Sequence, residues 1–324
     1  MISGKQGAYL MKKILSLIAM ILITGTPSVN TSAETIERKV LVSIMENYLI
    51  ALARHDPSAV PLAKDVKLVE NTEMTPIGKG LWETATGGPT DFKIFVADPA
   101  AGQVGTISVI QEDGNPVILA ARLKIIDGRI IEIDHIIVRN QPLHPNMSKV
   151  RPGFLQSLKP PEHTPREEML EIANSYYDAI LQGKGDIAPF ADECEKRDNG
   201  RTSSNDKSIT SAETENDGHA FFRRMACKDQ PDTGYFNDIT DINRRRFIAA
   251  DEETGLVFVY SIWVRNGEPK VIKIIGVPGL TKKTNKYGPY DVPAAHIFKI
   301  RKSKIHEVEV VYYIAEHGIK NGWE

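Results

Sequence analysis

Tyr177, Asp198, Arg246 and His296 are the residue types that side-chain acid–base chemistry needs. A carboxylate or imidazole takes a proton, a phenol or imidazole returns one, and a guanidinium holds developing negative charge. Arg197, Asn199, Tyr260, Tyr287 and Tyr290 carry the polar and aromatic groups that would orient a substrate beside them. Each has a plainer reading. Asp198-Asn199-Gly200 is a good turn sequence in its own right, and a tyrosine packs well without doing chemistry.

The first half offers Tyr48, Arg122 and His135 as pocket candidates. Asp134 and His135 are neighbours on a strand and must face opposite ways. Ile131, Ile133 and Ile137 share the His135 side, so His135 is expected inside and Asp134 outside. A neutral imidazole there could abstract a proton, or could be a tethered core residue. Arg122 could bind a carboxylate or stand exposed on the sheet, and Tyr48 could donate into a pocket or only pack.

Other chemistries find no pattern. The histidines lack metal-ligand spacing, and no Gly-x-Gly-x-x-Gly, phosphate loop or Gly-x-Ser-x-Gly elbow occurs. No cofactor and no metal are therefore expected.

The elements that would position these groups occur twice. Ile36 to Arg54 carries an apolar stripe at helical spacing. A second helix is announced by Thr164-Pro-Arg-Glu167, with the spacing of a capping box. Each helix is followed by an aspartate and a proline-containing turn or short second helix. Strands are then expected over Phe92–Ala97, Gly102–Gln111, Pro116–Ile126 and Arg129–Val138, and again over Arg245–Ala250, Leu256–Arg265, Ala294–Ile300 and Lys304–Tyr313. Asp127-Gly128 is a strong hairpin signal.

The order of pieces repeats as well. Tyr48 through Asp56 echoes Tyr177 through Asp186, Asp98 echoes Asp251, Glu70-Asn71 echoes Asp198-Asn199, and Ala120-Ala-Arg122 echoes Ala294-Ala-His296. This implies a duplication, with a first domain over 34–140, a linker over 141–162 and a second domain over 163–324. The second carries a polar insertion near 201–218, read mainly as a mobile surface loop and secondarily as a lid. Helix followed by antiparallel strands is an α+β plan in which a curved sheet wraps a helix to leave a cone-shaped pocket.

Met11-Lys-Lys followed by an apolar run and Thr31-Ser-Ala33 has the form of a secretory signal over 11–33, pointing to a periplasmic or secreted protein. Its removal would leave 37 basic against 42 acidic residues, a formal charge of −5 without a basic stripe. Nucleic acid is thereby disfavoured as a partner, and stable membrane insertion is not expected after cleavage. In an exported chain the two cysteines, Cys194 and Cys227, are more often bridged than free.

The opening helix with its tyrosine, the Asp-Pro turn and Asp127-Gly-Arg-Ile-Ile-Glu-Ile-Asp134 resemble the nuclear-transport-factor-2-like, or SnoaL-like, cone fold in tandem. Cys194-Glu-Lys-Arg-Asp-Asn-Gly200, Ala226-Cys-Lys-Asp-Gln230, Ile242-Asn-Arg-Arg-Arg246 and the terminal Gly322-Trp323 resemble an uncharacterised exported family of that class. The resemblance implies a pocket protein, and the superfamily includes dehydratases, isomerases, lyases, hydrolases and binding modules. The expected function is a cofactor-independent lyase, dehydratase or isomerase acting on a small sugar-acid or aromatic compound. The alternative is a non-catalytic periplasmic ligand-binding or assembly module, with a homodimer through the open sheet faces in view.

Overall fold

A computed structural model describes residues 36–324; the expected signal segment lies outside them. Helix α1 (Arg38–Ala53) places Leu41, Met45, Tyr48, Leu49 and Leu52 on one buried face. It is followed by β1 (Leu62–Glu70), β2 (Glu73–Thr75), a helical turn α2 (Leu81–Thr84), β3 (Ala85–Gly87) and the long strands β4 (Lys93–Asp98), β5 (Gln103–Glu112), β6 (Asn115–Ile126) and β7 (Arg129–Val138). The sheet runs β2-β1-β7-β6-β5, with β3 and β4 both paired to β5. Asp127 and Gly128 close the β6–β7 hairpin, both with positive φ, as a two-residue primed turn requires.

The second module repeats the plan. After a turn α3 (Pro152–Leu155) come α4 (Arg166–Gln182), β8 (Phe190–Asp198), β9 (Arg201–Ser204), the short helices α5 (Ser211–Asn216) and α6 (Gly218–Arg224), and then β10 (Asp241–Asp251) and β11 (Leu256–Arg265). A small β12 (Val271–Lys273) and β13 (Lys282–Thr284) pair precedes β14 (Tyr290–Arg301), β15 (Lys304–Tyr312) and β16 (Ala315–Glu316). The strand order β9-β8-β15-β14-β11-β10 is that of the first module, with β1 and β8 each parallel to the last long strand. The fold is two SnoaL-like cones in tandem.

The pairing register corrects the sequence echo in two places. His55 and Gly183 both end their helices in the left-handed region, and Asp56 and Lys184 bond back to Ala51 and Ala179. Tyr48 therefore corresponds to Tyr176, not Tyr177. Likewise Ala121 pairs with His135 and His296 with Val310, so His296 corresponds to Ala121 and Arg122 to Ile297. Glu70-Asn71 and Asp198-Asn199 do correspond. Each asparagine clamps its last strand with two bonds, Asn71 to Ile137 and Asn199 to Tyr312.

The short helical turns expected after each helix are present, over Pro57–Ala59 and Gly185–Ile187. The strands that follow them, β1 and β8, were not expected, because register shifts and charged residues hide their period. Two expectations of local structure give way. Thr164 does not cap α4; its hydroxyl accepts the Ser303 N–H instead. The polar insertion is partly ordered, containing β9 and α5.

Each cone has its own apolar interior. A third core lies between the sheets, where Phe92, Ile94, Ile107 and Val109 meet Ile248, Phe258, Tyr260 and Ile297. The segment between the modules joins this core through Met147, Val150 and Phe154, so it is packed rather than a free tether. The outer sheet faces, expected to be open for a homodimer, are thus occupied at this contact by the other module.

Candidate functional site

In the first cone the candidate residues hold one another. The Tyr48 hydroxyl lies 2.8 Å from His135 Nε2, and His135 Nδ1 lies 3.6 Å from Glu70. Glu70 accepts the Leu81 N–H and pairs with Arg139 at 3.0 Å; Arg139 also holds Glu112 at 2.6 Å. Burial works to raise the Glu70 carboxyl, but His135, Leu81 and Arg139 outweigh it and bring it down to about 2. Trp82, fully buried and edge-on to Tyr48, fills the space beside them. His135 faces inward and Asp134 outward, as the isoleucine pattern implies. The inward group is a linked set of side chains packed beside Trp82.

Arg122 lies on the opposite face, buried and paired with Asp134 at 2.9 Å and Glu132 at 2.7 Å. Arg246 reaches Asp134 from the second module through two bonds, and Trp323 donates its indole N–H to the same carboxylate. Tyr260 is on this side too, its hydroxyl donating to the Ala120 carbonyl at 3.2 Å. Arg246 and Tyr260 therefore fasten the modules together, with Arg122 holding Asp134 from its own module, and Arg246 is separated from the other residues proposed to work with it.

The second cone is different. A cavity of about 690 Å³ opens in it, within the range of small-molecule sites. The positions fall on one face by the two-residue period of the strands: Lys196 and Asp198 on β8, Arg201 and Ser203 on β9, Val292, Ala294 and His296 on β14, and Val310 and Tyr312 on β15. Trp263 and Tyr290 add aromatic wall. The opposite wall comes from the segment after β9, through Phe222, Arg223, Gln230 and Tyr235. The Cys194–Cys227 disulfide ties that segment to β8.

His296 is fully buried at the cavity lining, and neither ring nitrogen has a hydrogen-bond partner among the described residues. It is stacked between Trp263 and Phe298, with centroids 5.7 and 5.8 Å away. Burial, and then Lys196, push its pKa well below the usual histidine value, so the ring is neutral and presents one N–H and one lone pair. Tyr177 stands edge-on to it at 5.2 Å. The Tyr176 and Tyr177 hydroxyls are also unpartnered, and burial pushes both phenols well above their normal pKa. Asp198 is held by Lys196 at 2.8 Å.

The register explains why one cone is filled and the other hollow. Along one row, Thr106, Ala121, His135 and Glu70 correspond to Val259, His296, Val310 and Asp198. In the first module histidine and carboxylate are on adjacent strands and meet. In the second, the histidine is one strand further over, behind Val310. Two strand spacings, about 10 Å of backbone, separate it from Asp198, with Val310 between them in the same row.

Of the remaining candidates, Tyr290 lines the cavity, whereas Tyr287 is 71% exposed. Arg197 pairs with Glu195 at 2.8 Å, as expected for the face opposite Asp198. Asn199 spends its amide on the Tyr312 clamp. Sequence reasoning missed Lys196, Arg201, Trp263 and Tyr312; for Tyr312 the available signal was the two-residue period of its own strand, which puts it on the face of Val310. Among the described residues no group of three or more His, Cys, Asp or Glu is placed to hold a metal ion, and no helix is long and apolar enough to cross a membrane.

A family model matches residues 34–137 and 162–312, most of the chain. The chain belongs to that family, the Domain of unknown function DUF8021. No curated protein matches this DUF8021 chain. Among solved structures it is similar to a de novo designed protein with a curved β-sheet, at 13% identity and TM-score 0.26 over 32% of this chain and 88% of that one. It is similar to a candidate polyketide cyclase from Xanthomonas campestris pv. campestris at 17% identity and TM-score 0.28, over 46% and 92%. A protein of ketosteroid isomerase-like fold from Catenulispora acidiphila, in complex with trimethylamine, is similar at 14% identity and TM-score 0.22, over 48% and 97%.

Proposed function

We propose that the second cone is the working site and that the protein is an exported, cofactor-independent lyase, dehydratase or isomerase for a small organic molecule. The observation that carries this reading is one cavity lined by both Asp198 and the unpartnered, neutral His296. Asp198, paired with Lys196 at 2.8 Å, takes a proton from a carbon next to an electron-withdrawing group. The Lys196 ammonium offsets the charge that develops on the substrate oxygen. His296, through the N–H of its neutral ring, hydrogen-bonds that oxygen, and the proton taken up by Asp198 is returned to a neighbouring carbon or to the leaving hydroxyl. The first cone, whose Tyr48, His135, Glu70 and Arg139 are held close to one another, is the structural partner. The buried disulfide suits an oxidising compartment, which supports the exported location.

One observation favours the alternative of a non-catalytic ligand-binding module: Asp198, His296 and Tyr177 do not hydrogen-bond to one another. The test is incubation of the purified protein with pools of sugar acids and plant aromatic acids, without added cofactor, followed by mass spectrometry. Loss of one water or an isomer shift that disappears in Asp198→Asn supports the enzyme. Reproducible retention of one unchanged compound supports the binding module. Neither outcome in any pool overturns the site.

A further inference from the structure

The cavity is lined by four cationic side chains, Lys196, Arg201, Arg223 and Arg265, against the single carboxylate of Asp198. The chain as a whole is slightly acidic, with a formal charge of −2, so this is a local concentration of positive charge. Three of the four are committed. Lys196 pairs with Asp198 at 2.8 Å, Arg265 with Asp238 at 3.2 Å, and Arg223 with the buried Asp206.

Arg201 has no carboxylate partner among the described residues. It sits directly across the β8–β9 hairpin from Asp198, over the tight Asn199-Gly200 turn whose two positive φ values set that register. The same hairpin position in the first cone is Glu73, opposite Glu70. The hollow cone therefore carries a cation where the filled one carries an acid.

The walls define the rest of an occupant. Trp263, Tyr290, Tyr312, Phe222 and Tyr235 present ring faces and edges around the same space, suited to a flat apolar body. At about 690 Å³ the space is larger than a single ring needs.

We infer that the ligand of the second cone is an aromatic carboxylate, its ring system between the aromatic walls and its carboxylate on Arg201 at the mouth. This rests on the proposed function of the cavity and adds to it the substrate class and the residue that selects it. A guanidinium fork binds a carboxylate through two parallel N–H bonds, and an ester of the same acid offers neither the charge nor both oxygens as equal acceptors. At the partly exposed mouth the attraction is screened by salt.

The test compares 2-naphthoate with methyl 2-naphthoate by titration calorimetry on the purified protein, at low and at high salt. The expected result is acid binding about tenfold tighter than ester at low salt, since a charge-assisted bond contributes on that order. In Arg201→Ala the acid should fall to the affinity of the ester, while the ester is unchanged. Arg201→Lys should retain part of the preference. Arg201 is exposed, so these variants do not threaten the fold. Equal binding of acid and ester in the unaltered protein overturns the inference and leaves the cavity as a site for neutral ligands. A preference that survives in Arg201→Ala also overturns it. Binding of neither probe removes the inference together with the reading of the cavity on which it rests.

Discussion

Arg38 on the first module's helix forms an ion pair with Asp251 of the second at 2.8 Å, and Arg166 at the matching position forms one with Asp98 of the first at 2.9 Å. The exchange is reciprocal, as in a twofold-symmetric dimer, although the two halves are one chain. Both aspartates end the matching strands β4 and β10, and both are almost fully buried. The contact has the form of a symmetric interface held within one chain, and the faces between the sheets are apolar on both sides.

Removing one arm of this exchange leaves a buried carboxylate without its cation. Arg166→Ala is expected to lower the unfolding free energy by about 2–3 kcal/mol, with an unchanged denaturant slope. Because the modules share a core, both should still unfold in a single transition. Urea titration followed by fluorescence and by circular dichroism checks this; two separate transitions would show that the shared core does not couple the modules.

Gly105 lies on β5 against the ring of Phe258 from the other module, and a Cβ there would stand 2.1 Å from a ring carbon. Gly105→Ala should cost about 1–3 kcal/mol by overpacking. Shortening the ring in Gly105→Ala/Phe258→Leu should recover part of that cost, so the two changes are expected to be coupled rather than additive. A double-mutant cycle by urea denaturation measures the coupling.

How much of this was legible depends on whether a residue's neighbours on its own element were enough to place it. Alternating isoleucines put His135 inside and Asp134 outside, and the eight later strands were readable from alternation and turn residues. Strand β8 was not, because Glu195, Lys196, Arg197 and Asp198 are charged on both faces. Their pattern is set by a cavity on one side and by the Arg151 cluster on the other. Without β8, Lys196 had no reason to be placed beside Asp198. Arg246 was misplaced for another reason: it sits among register shifts in β10, and its partner Asp134 lies in the other module. Local sequence contains no signal for that pairing. The one-residue error in the echo on a strand, Arg122 for Ala121, reversed the face on which the matched residue was expected, whereas Tyr177 for Tyr176 on a helix left both candidates in the same core.

His296 should make stability pH-dependent. Its folded-state pKa is depressed, so as pH falls below the ordinary value of 6.5 the unfolded chain takes up a proton that the folded chain refuses. The stability is present in full above that value and declines below it, by up to about 1.4 kcal/mol per pH unit. His296→Phe keeps the aromatic stack and removes the titration. The unfolding free energy of the unaltered protein is expected to fall more steeply than that of the variant between about pH 7 and about pH 5. Parallel curves would show that the ring is protonated in place.

The two carboxylates at matching positions, Glu70 and Asp198, should separate stability from activity. Glu70 is bound by Arg139, Leu81 and His135 and its pKa is lowered from 4.5 to about 2. A depressed carboxyl stabilises the fold above its unfolded value and loses that contribution as pH falls from 4.5 through about 2. On this scale the contribution is about 3 kcal/mol at neutral pH. Glu70→Gln is therefore expected to destabilise the protein near neutrality, with the difference shrinking in acid, and to leave conversion or ligand binding unchanged. Asp198 faces a cavity and among the described residues is held only by Lys196, so Asp198→Asn should cost little stability. It should lower turnover by at least about a hundredfold, the lower range for a general base, while the ligand still binds. Loss of activity in Glu70→Gln at a temperature where the variant is fully folded would move the working site to the first cone.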